Sequence, residues 1–209
     1  MCSMNDKLAV IARSLVRSKA LKFGSFKLKS GIMSPYYIDL SWLLSSPREF
    51  EAVTDVVAKE IREIAAERKI DKLASIELKG ALLIPNIASK AGLPCIVVRK
   101  ESKKYGLTGR IVGGEIKSGE RFIFFDDVIT DGRSKIEGIK PIEEAGGIID
   151  TIMIVVDREQ GGRKNLEKMG YRVKSISTIS EIANKLLEIG EISEENFRKI
   201  MEYLKKYSL

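Results

Sequence analysis

The chain has 209 residues, 44% of them hydrophobic, and a net charge of +7, enough for one sizeable core and a surface that suits an anionic partner. It contains no histidine, which excludes Ser-His-Asp and Cys-His catalysis, His-ligated zinc and imidazole acid–base chemistry together. The two cysteines, Cys2 and Cys95, are too few for a disulfide framework, and no apolar run is long enough to span a membrane.

In chain order, the opening MCSMNDKLAV lacks the charged-then-apolar-then-small order of a signal peptide, so a cytoplasmic location is expected. Leu8, Ile11, Ala12 and Leu15 recur at helical spacing and predict an amphipathic helix over 5–16. Gly24, Gly31 and Pro35 then break the period, and short alternations predict an extended hairpin from Ser25–Leu28 and Tyr36–Leu40. Ser46-Pro47-Arg48-Glu49 has the form of a capping box with proline at the first helical position, ahead of a stripe of Phe50, Val53, Val57, Ile61 and Ile64.

A strand over 73–76, a turn at Lys79-Gly80 and a small helix over 85–91 come next. Cys95 falls in a further apolar strand, 95–98, as a small buried side chain. Arg99 to Gly114 is polar and glycine-spaced. Phe122–Phe125 is a buried strand, followed by a helix from about Ser134 that carries Pro141, where a kink is expected, and stops at Gly146-Gly147. Strands over 151–156 and 172–176 flank a short helix over 163–169, and two closing helices start at Thr178, capped with Glu181, and at Ser193. Apolar strands alternating with amphipathic helices predict an α/β fold with a mostly parallel sheet, whose ligands belong outside the C-terminal strand ends. One domain is expected, with an N-terminal lobe over 1–45, a core over 46–180 and closing helices over 178–209.

The stretch from Arg121 to Lys135, RFIFFDDVITDGRSK, is where that geometry becomes chemistry. An apolar strand runs into Asp126 and Asp127, and the hydroxyl- and glycine-containing loop Thr130-Asp131-Gly132-Arg133-Ser134 leads into a helix. Backbone amides and hydroxyls there can wrap a phosphate, favoured by the helix end. The carboxylates can accept from ribose hydroxyls or orient the waters of a bound Mg²⁺. Alone, two acids read equally well as a solvated strand end. A P-loop would need G-x-x-x-x-G-K-[ST], and a dinucleotide fold G-x-G-x-x-G; the chain has neither.

The composite of apolar strand, Asp-Asp and Thr-x-Gly-x-Ser resembles the phosphoribosyl diphosphate (PRPP) signature of the type I phosphoribosyltransferases. FGSFKLKSG with SPYYIDL, VVRKESKKYG and VVDREQGG extend that resemblance over 21–162 to the orotate phosphoribosyltransferase family, in the family's order. The resemblance implies a type I phosphoribosyltransferase fold with a small N-terminal lobe and a mobile catalytic loop. It implies a glycosyltransferase that moves ribose 5-phosphate from PRPP to orotate with Mg²⁺, giving orotidine 5′-monophosphate and pyrophosphate in pyrimidine synthesis. It also implies a homodimer that shares the loop across its interface, with no membrane or nucleic acid partner.

Residue by residue, the resemblance assigns Lys29, Lys79, Arg99, Lys100, Lys103 and Tyr105 to PRPP, together with Asp126, Asp127, Val128, Ile129, Thr130, Asp131, Gly132, Arg133 and Ser134. Lys103, Asp126 and Asp127 are the catalytic candidates, the two acids holding the metal through water. Tyr36, Tyr37, Thr130 and Arg158 are the candidates for the orotate side. Core packing competes for the tyrosines, which as neighbours cannot share one strand face, and a surface salt bridge competes for Arg158. Arg99, Lys100, Lys103, Lys104 and Arg110 would otherwise read as a solvated or nucleic-acid-binding face, but Gly106, Gly109, Gly113 and Gly114 favour a loop that closes over the site. A PRPP-sensing regulator would carry a nucleic-acid module, for which no length is spare. Tyr105 departs from the histidine usual in bacterial relatives, and Leu78 from the tyrosine often found before the lysine.

Overall fold

The computed structural model describes residues 4–28, 31–103 and 109–206, of which 4–6, 102 and 103 are described as backbone alone. Helix α1 (Met4–Arg17) opens the chain, with Ile11, Ala12 and Leu15 fully buried as its stripe requires. Strands β1 (Leu21–Lys27) and β2 (Met33–Ile38) pair antiparallel as a separate two-stranded lobe. A 3-10 helix over 40–45 leads into α2 (Pro47–Glu67). Then follow β3 (Lys72–Ile76), α3 (Lys79–Ala91), β4 (Cys95–Lys103), β5 (Gly109–Val112), β6 (Arg121–Ile129), α4 (Arg133–Glu144), β7 (Ile148–Asp157), α5 (Gly162–Lys168), β8 (Val173–Thr178), α6 (Ile179–Glu188) and α7 (Glu194–Lys205).

The six-stranded sheet has the order β5-β4-β3-β6-β7-β8, parallel throughout except for the edge strand β5. The alternation of strand side chains divides the core into two layers. Ile123, Phe125, Met153 and Val155 pack with α1, α2, α3 and α6 on one face, and Phe122, Phe124, Ile152 and Ile154 with α4 and α5 on the other. Among the described residues, no helix is long and apolar enough to cross a membrane.

Four local expectations are revised. Ser46 starts α2 without a side-chain cap, and its own N–H is already given to the Leu43 carbonyl of the 3-10 helix, which leaves Glu49 nothing to reach back to. Helix α3 begins at Lys79 rather than Pro85, which lies inside it, so Lys79-Gly80 is a first helical turn. The polar segment after Val98 is in part an antiparallel hairpin: β4 runs on to Lys103, which pairs with Gly109 on β5. Cys95 is half-buried against the core rather than sealed in it. At the far end, Thr178 and Glu181 form the expected capping box of α6, and Ser193 caps α7.

Candidate active site

The C-terminal ends of β3, β6 and β7 lie side by side, and β6 passes its two acids before it ends. Asp126 pairs with Ile154 in the ladder, and β6 continues through Val128 and Ile129 opposite Val156 and Asp157. The acids are thus strand residues rather than a loose terminus, and each is about 95% buried, Asp126 at 6% exposure and Asp127 at 5%. Asp126 Oδ2 meets Lys135 Nζ at 2.6 Å. Lys135, 4% exposed on the first turn of α4, also donates to the Val128 carbonyl and to Ser134 Oγ. Asp127 receives no such cation among the described residues: Oδ1 accepts from the Val128 amide at 2.8 Å. Burial first, and the charge of Asp126 second, push its carboxyl up to about 7.

The phosphate loop follows. Gly132 takes φ +88°, a left-handed conformation that a side chain resists, and as the N-cap of α4 it has no side chain to offer the helix. Thr130, Asp131 and Arg133 are exposed and Ser134 is half-buried, whereas the Ile129 side chain is fully buried, leaving only its backbone to the loop. Asp131 places an anion in a loop suited to anions: Oδ1 accepts from the Arg133 amide at 3.1 Å and Oδ2 pairs with Arg133 Nε at 3.3 Å. The turn after β7 is stitched to this loop. Arg158 N–H donates to the Ile129 carbonyl, Gly162 N–H to that of Thr130 and Asn165 Nδ2 to that of Asp131. A Cβ at Gly162 would lie 2.6 Å from the Thr130 oxygen, so only glycine permits the approach.

The tyrosine pair splits. Tyr36 is fully buried, and its hydroxyl accepts from Arg158 Nε at 3.3 Å while the guanidinium carbon sits 4.9 Å from its ring centroid. Tyr37 is 38% exposed and packs on Phe26, away from that contact. Arg158, only 8% exposed, makes no salt bridge among the described residues, which removes the surface-pair reading. Of the four buried side-chain atoms that lack a hydrogen-bond partner among the described residues, two are Asp127 Oδ2 and Arg158 Nη2. An unpartnered buried polar group costs about 1–3 kcal/mol, and here an acceptor and a donor wait at adjacent strand ends.

A second cation acts on the acids. Lys79 pairs with Asp39 at 3.0 Å, and its charge helps to lower the Asp127 carboxyl. The preceding peptide, Glu77-Leu78, is cis. Gly80 lets α3 pass close to the acids: a Cβ there would lie 2.6 Å from Asp126 Oδ1 and 2.4 Å from Ser75 Oγ. Glu77 Oε1 accepts from the Lys100 amide at 2.6 Å, tying this turn to β4, which carries Arg99 and Lys100. Lys29, Lys104, Tyr105 and Gly106 lie outside the described residues, as does the side chain of Lys103. Sequence reasoning passed over Lys135 and Tyr203; the former reads as one more surface charge on a helix, and only its burial reveals it.

For a metal, the orphan Asp127 Oδ2 and the neighbouring Asp126 are hard oxygen donors of the kind Mg²⁺ takes. No group of three or more acids or cysteines among the described residues could hold one, so any ion here needs further oxygens from a ligand.

Residues 40–188 match the phosphoribosyl transferase domain. The orotate phosphoribosyltransferase of Pyrococcus furiosus is 35% identical over 88% of this chain and 98% of its own length. Among solved structures, the orotate phosphoribosyltransferase of Aeropyrum pernix is 26% identical, with a TM-score of 0.72 over 88% of this chain and 99% of that one. The UMP synthase of Leishmania donovani is 28% identical with a TM-score of 0.82; it matches 95% of this chain, which spans 42% of that longer enzyme.

Proposed function

The chain belongs to the orotate phosphoribosyltransferase family, within the phosphoribosyl transferase domains, and from that membership we propose that it transfers ribose 5-phosphate from PRPP to orotate, yielding orotidine 5′-monophosphate and pyrophosphate for UMP synthesis. The observation that carries this reading is the pair of orphan buried atoms, Asp127 Oδ2 and Arg158 Nη2, at the neighbouring ends of β6 and β7. PRPP and orotate together supply what they lack: sugar hydroxyls for the acid and a carboxylate for the arginine.

In this reading the loop from Thr130 to Ser134 and the start of α4 hold the 5-phosphate. Asp127 accepts from the ribose hydroxyls and so fixes the anomeric carbon. Arg158, turned by Tyr36, grips the orotate carboxylate with its planar donor fork. Orotate N1 then gives up its proton to solvent and forms its bond to C1 as the C1–oxygen bond breaks, that bond's electron pair leaving with pyrophosphate. Positive charge builds on the ribose and negative charge on the leaving group. Lys79, Arg99 and Lys100 stand as fixed cations for the latter, with Lys29, Lys103 and Tyr105 assigned by family resemblance. Bound Mg²⁺, held by Asp126 and Asp127 through water and by substrate oxygens, would neutralise pyrophosphate charge.

The same reading makes the enzyme a homodimer. It is supported by the position of the β4–β5 hairpin at the outer edge of the sheet, where a loop can serve a neighbouring subunit. A cytoplasmic location accompanies it, since both substrates are charged soluble metabolites.

The deciding assay supplies PRPP and Mg²⁺ with orotate, uracil, hypoxanthine or adenine in turn, following loss of each base. Orotate consumption with release of pyrophosphate is the expected result. Turnover of another base instead of orotate would overturn the base assignment, and turnover of none with tight PRPP binding would point to a sensor.

A further inference from the structure

Helix α7 lies beyond the matched domain, which ends at residue 188, yet it reaches the base side of the site. We propose that Tyr203 on this helix is a positioning residue for Arg158, so that the C-terminal helix sets the enzyme's affinity for the base; the proposal rests on the reading of Arg158 as the orotate-carboxylate arginine.

Three consecutive side chains leave the turn after β7 toward three different elements. Arg158 turns to the β1–β2 lobe, where Tyr36 receives its Nε hydrogen bond. Glu159, with φ +57°, turns to α6, accepting from the Ser180 amide at 2.8 Å and the Ser180 hydroxyl at 2.9 Å. Gln160 turns to α7, and its Nε2 donates to Tyr203 Oη at 3.0 Å.

Tyr203 closes the circuit. It is 5% exposed, and its ring meets Tyr36 edge-on at 5.8 Å between centroids, with 89° between the planes. One phenol thus braces the arginine twice: through the backbone that carries it, by way of Gln160, and through the ring on which its guanidinium rests, by way of Tyr36. Arginine has several soft torsions, and a buried guanidinium that must meet a planar carboxylate with both prongs gains most from a support that removes the wrong rotamers in advance. The side-chain contacts of this circuit, to Tyr36, Ser180 and Tyr203, all lie away from the phosphate loop, which the turn meets through backbone bonds from Arg158 and Gly162. The brace therefore bears first on the guanidinium that meets the base.

The test separates the two substrates. Tyr203→Phe keeps the ring and removes the hydroxyl, so the loss of its hydrogen bond from Gln160 should raise KM for orotate about fivefold. KM for PRPP and kcat should stay within about twofold. Gln160→Ala should match it, and the double variant should be no worse than either, because both remove the same bond. Tyr203→Leu, which also loses the edge contact, should raise the orotate KM further. An unchanged orotate KM in both Tyr203 variants would overturn the proposal, as would equal rises in the two KM values, the mark of general damage. Arg158→Gln is the reference: if it leaves the orotate KM unchanged, the reading of Arg158 fails and the inference with it. If it raises that KM while the Tyr203 variants do not, the inference alone fails.

Discussion

Lys135 Nζ lies 2.6 Å from Asp126 Oδ2, with side-chain exposures of 5% and 8%, so an ion pair sits out of water beneath the phosphate loop. Breaking such a pair from one side strands a buried charge and costs about 3–5 kcal/mol. Lys135→Met is expected to lose that much stability in denaturant unfolding. Asp126→Asn added to it should restore most of the loss, because the stranded charge is gone. Turnover with PRPP should remain depressed in both, since the bonds of Lys135 to Val128 and Ser134 also shape the loop. A single variant as stable as the parent would show that the pair contributes nothing.

Asp127→Asn should separate stability from function. Oδ2 is buried without a partner among the described residues, and a neutral amide in its place removes a desolvated charge beside Asp126. The apo variant should melt at the same temperature as the parent or higher. Its kcat/KM for PRPP should fall about a hundredfold, as for loss of a charged contact made to the reacting sugar. Normal PRPP kinetics would remove Asp127 from the site.

Much of this was legible in the residues themselves. The alternation that places Phe122 and Phe124 on one face of β6 and Ile123 and Phe125 on the other is local, as are the stripes of α1 and α2. The acids and the Thr-x-Gly-x-Ser loop stand together in one segment, so no fold is needed to see them. What escaped depends on contacts that only the folded chain makes. The Ser46–Glu49 box is broken in part because the 3-10 helix claims the Ser46 amide that Glu49 would reach. Pro85 looked like a helix start, although the helix begins at Lys79, six residues earlier. Lys135 and Tyr203 look like ordinary helix residues until Asp126 and Gln160 are brought against them.

Asp131 offers a prediction of the opposite sign. Its carboxylate holds the Arg133 amide and guanidinium at the mouth of the phosphate loop, so an incoming phosphate meets a like charge and an amide already engaged. Asp131→Ser removes the charge and keeps a short polar side chain suited to the turn. KM for PRPP should fall by about two- to fivefold, in keeping with the modest worth of exposed charge interactions, and the fall should shrink as salt is raised. A higher KM would mean that the acid assists binding.

Away from the site, Glu60 ties α1 and β8 to α2. Lys7 reaches Oε1 and Lys174 reaches Oε2, each at 2.6 Å. Burial works to raise the Glu60 carboxyl, but the bonds from Lys174 and Lys7 overcome it and hold the group below its ordinary 4.5. A depressed carboxyl contributes stability above the unfolded-state value and loses it as pH falls through the folded one. Glu60→Gln should therefore lower the melting temperature at pH 7 by a few degrees, on the order of 1 kcal/mol once the partly exposed lysines are discounted for screening. The gap from the parent should close as the pH is taken below 4.5, where Glu60 takes up its proton and loses its advantage over the amide. Thermal melts of both proteins between pH 3 and pH 8 would show it; a gap that stays constant with pH would mean that packing, and not charge, is what Glu60 contributes.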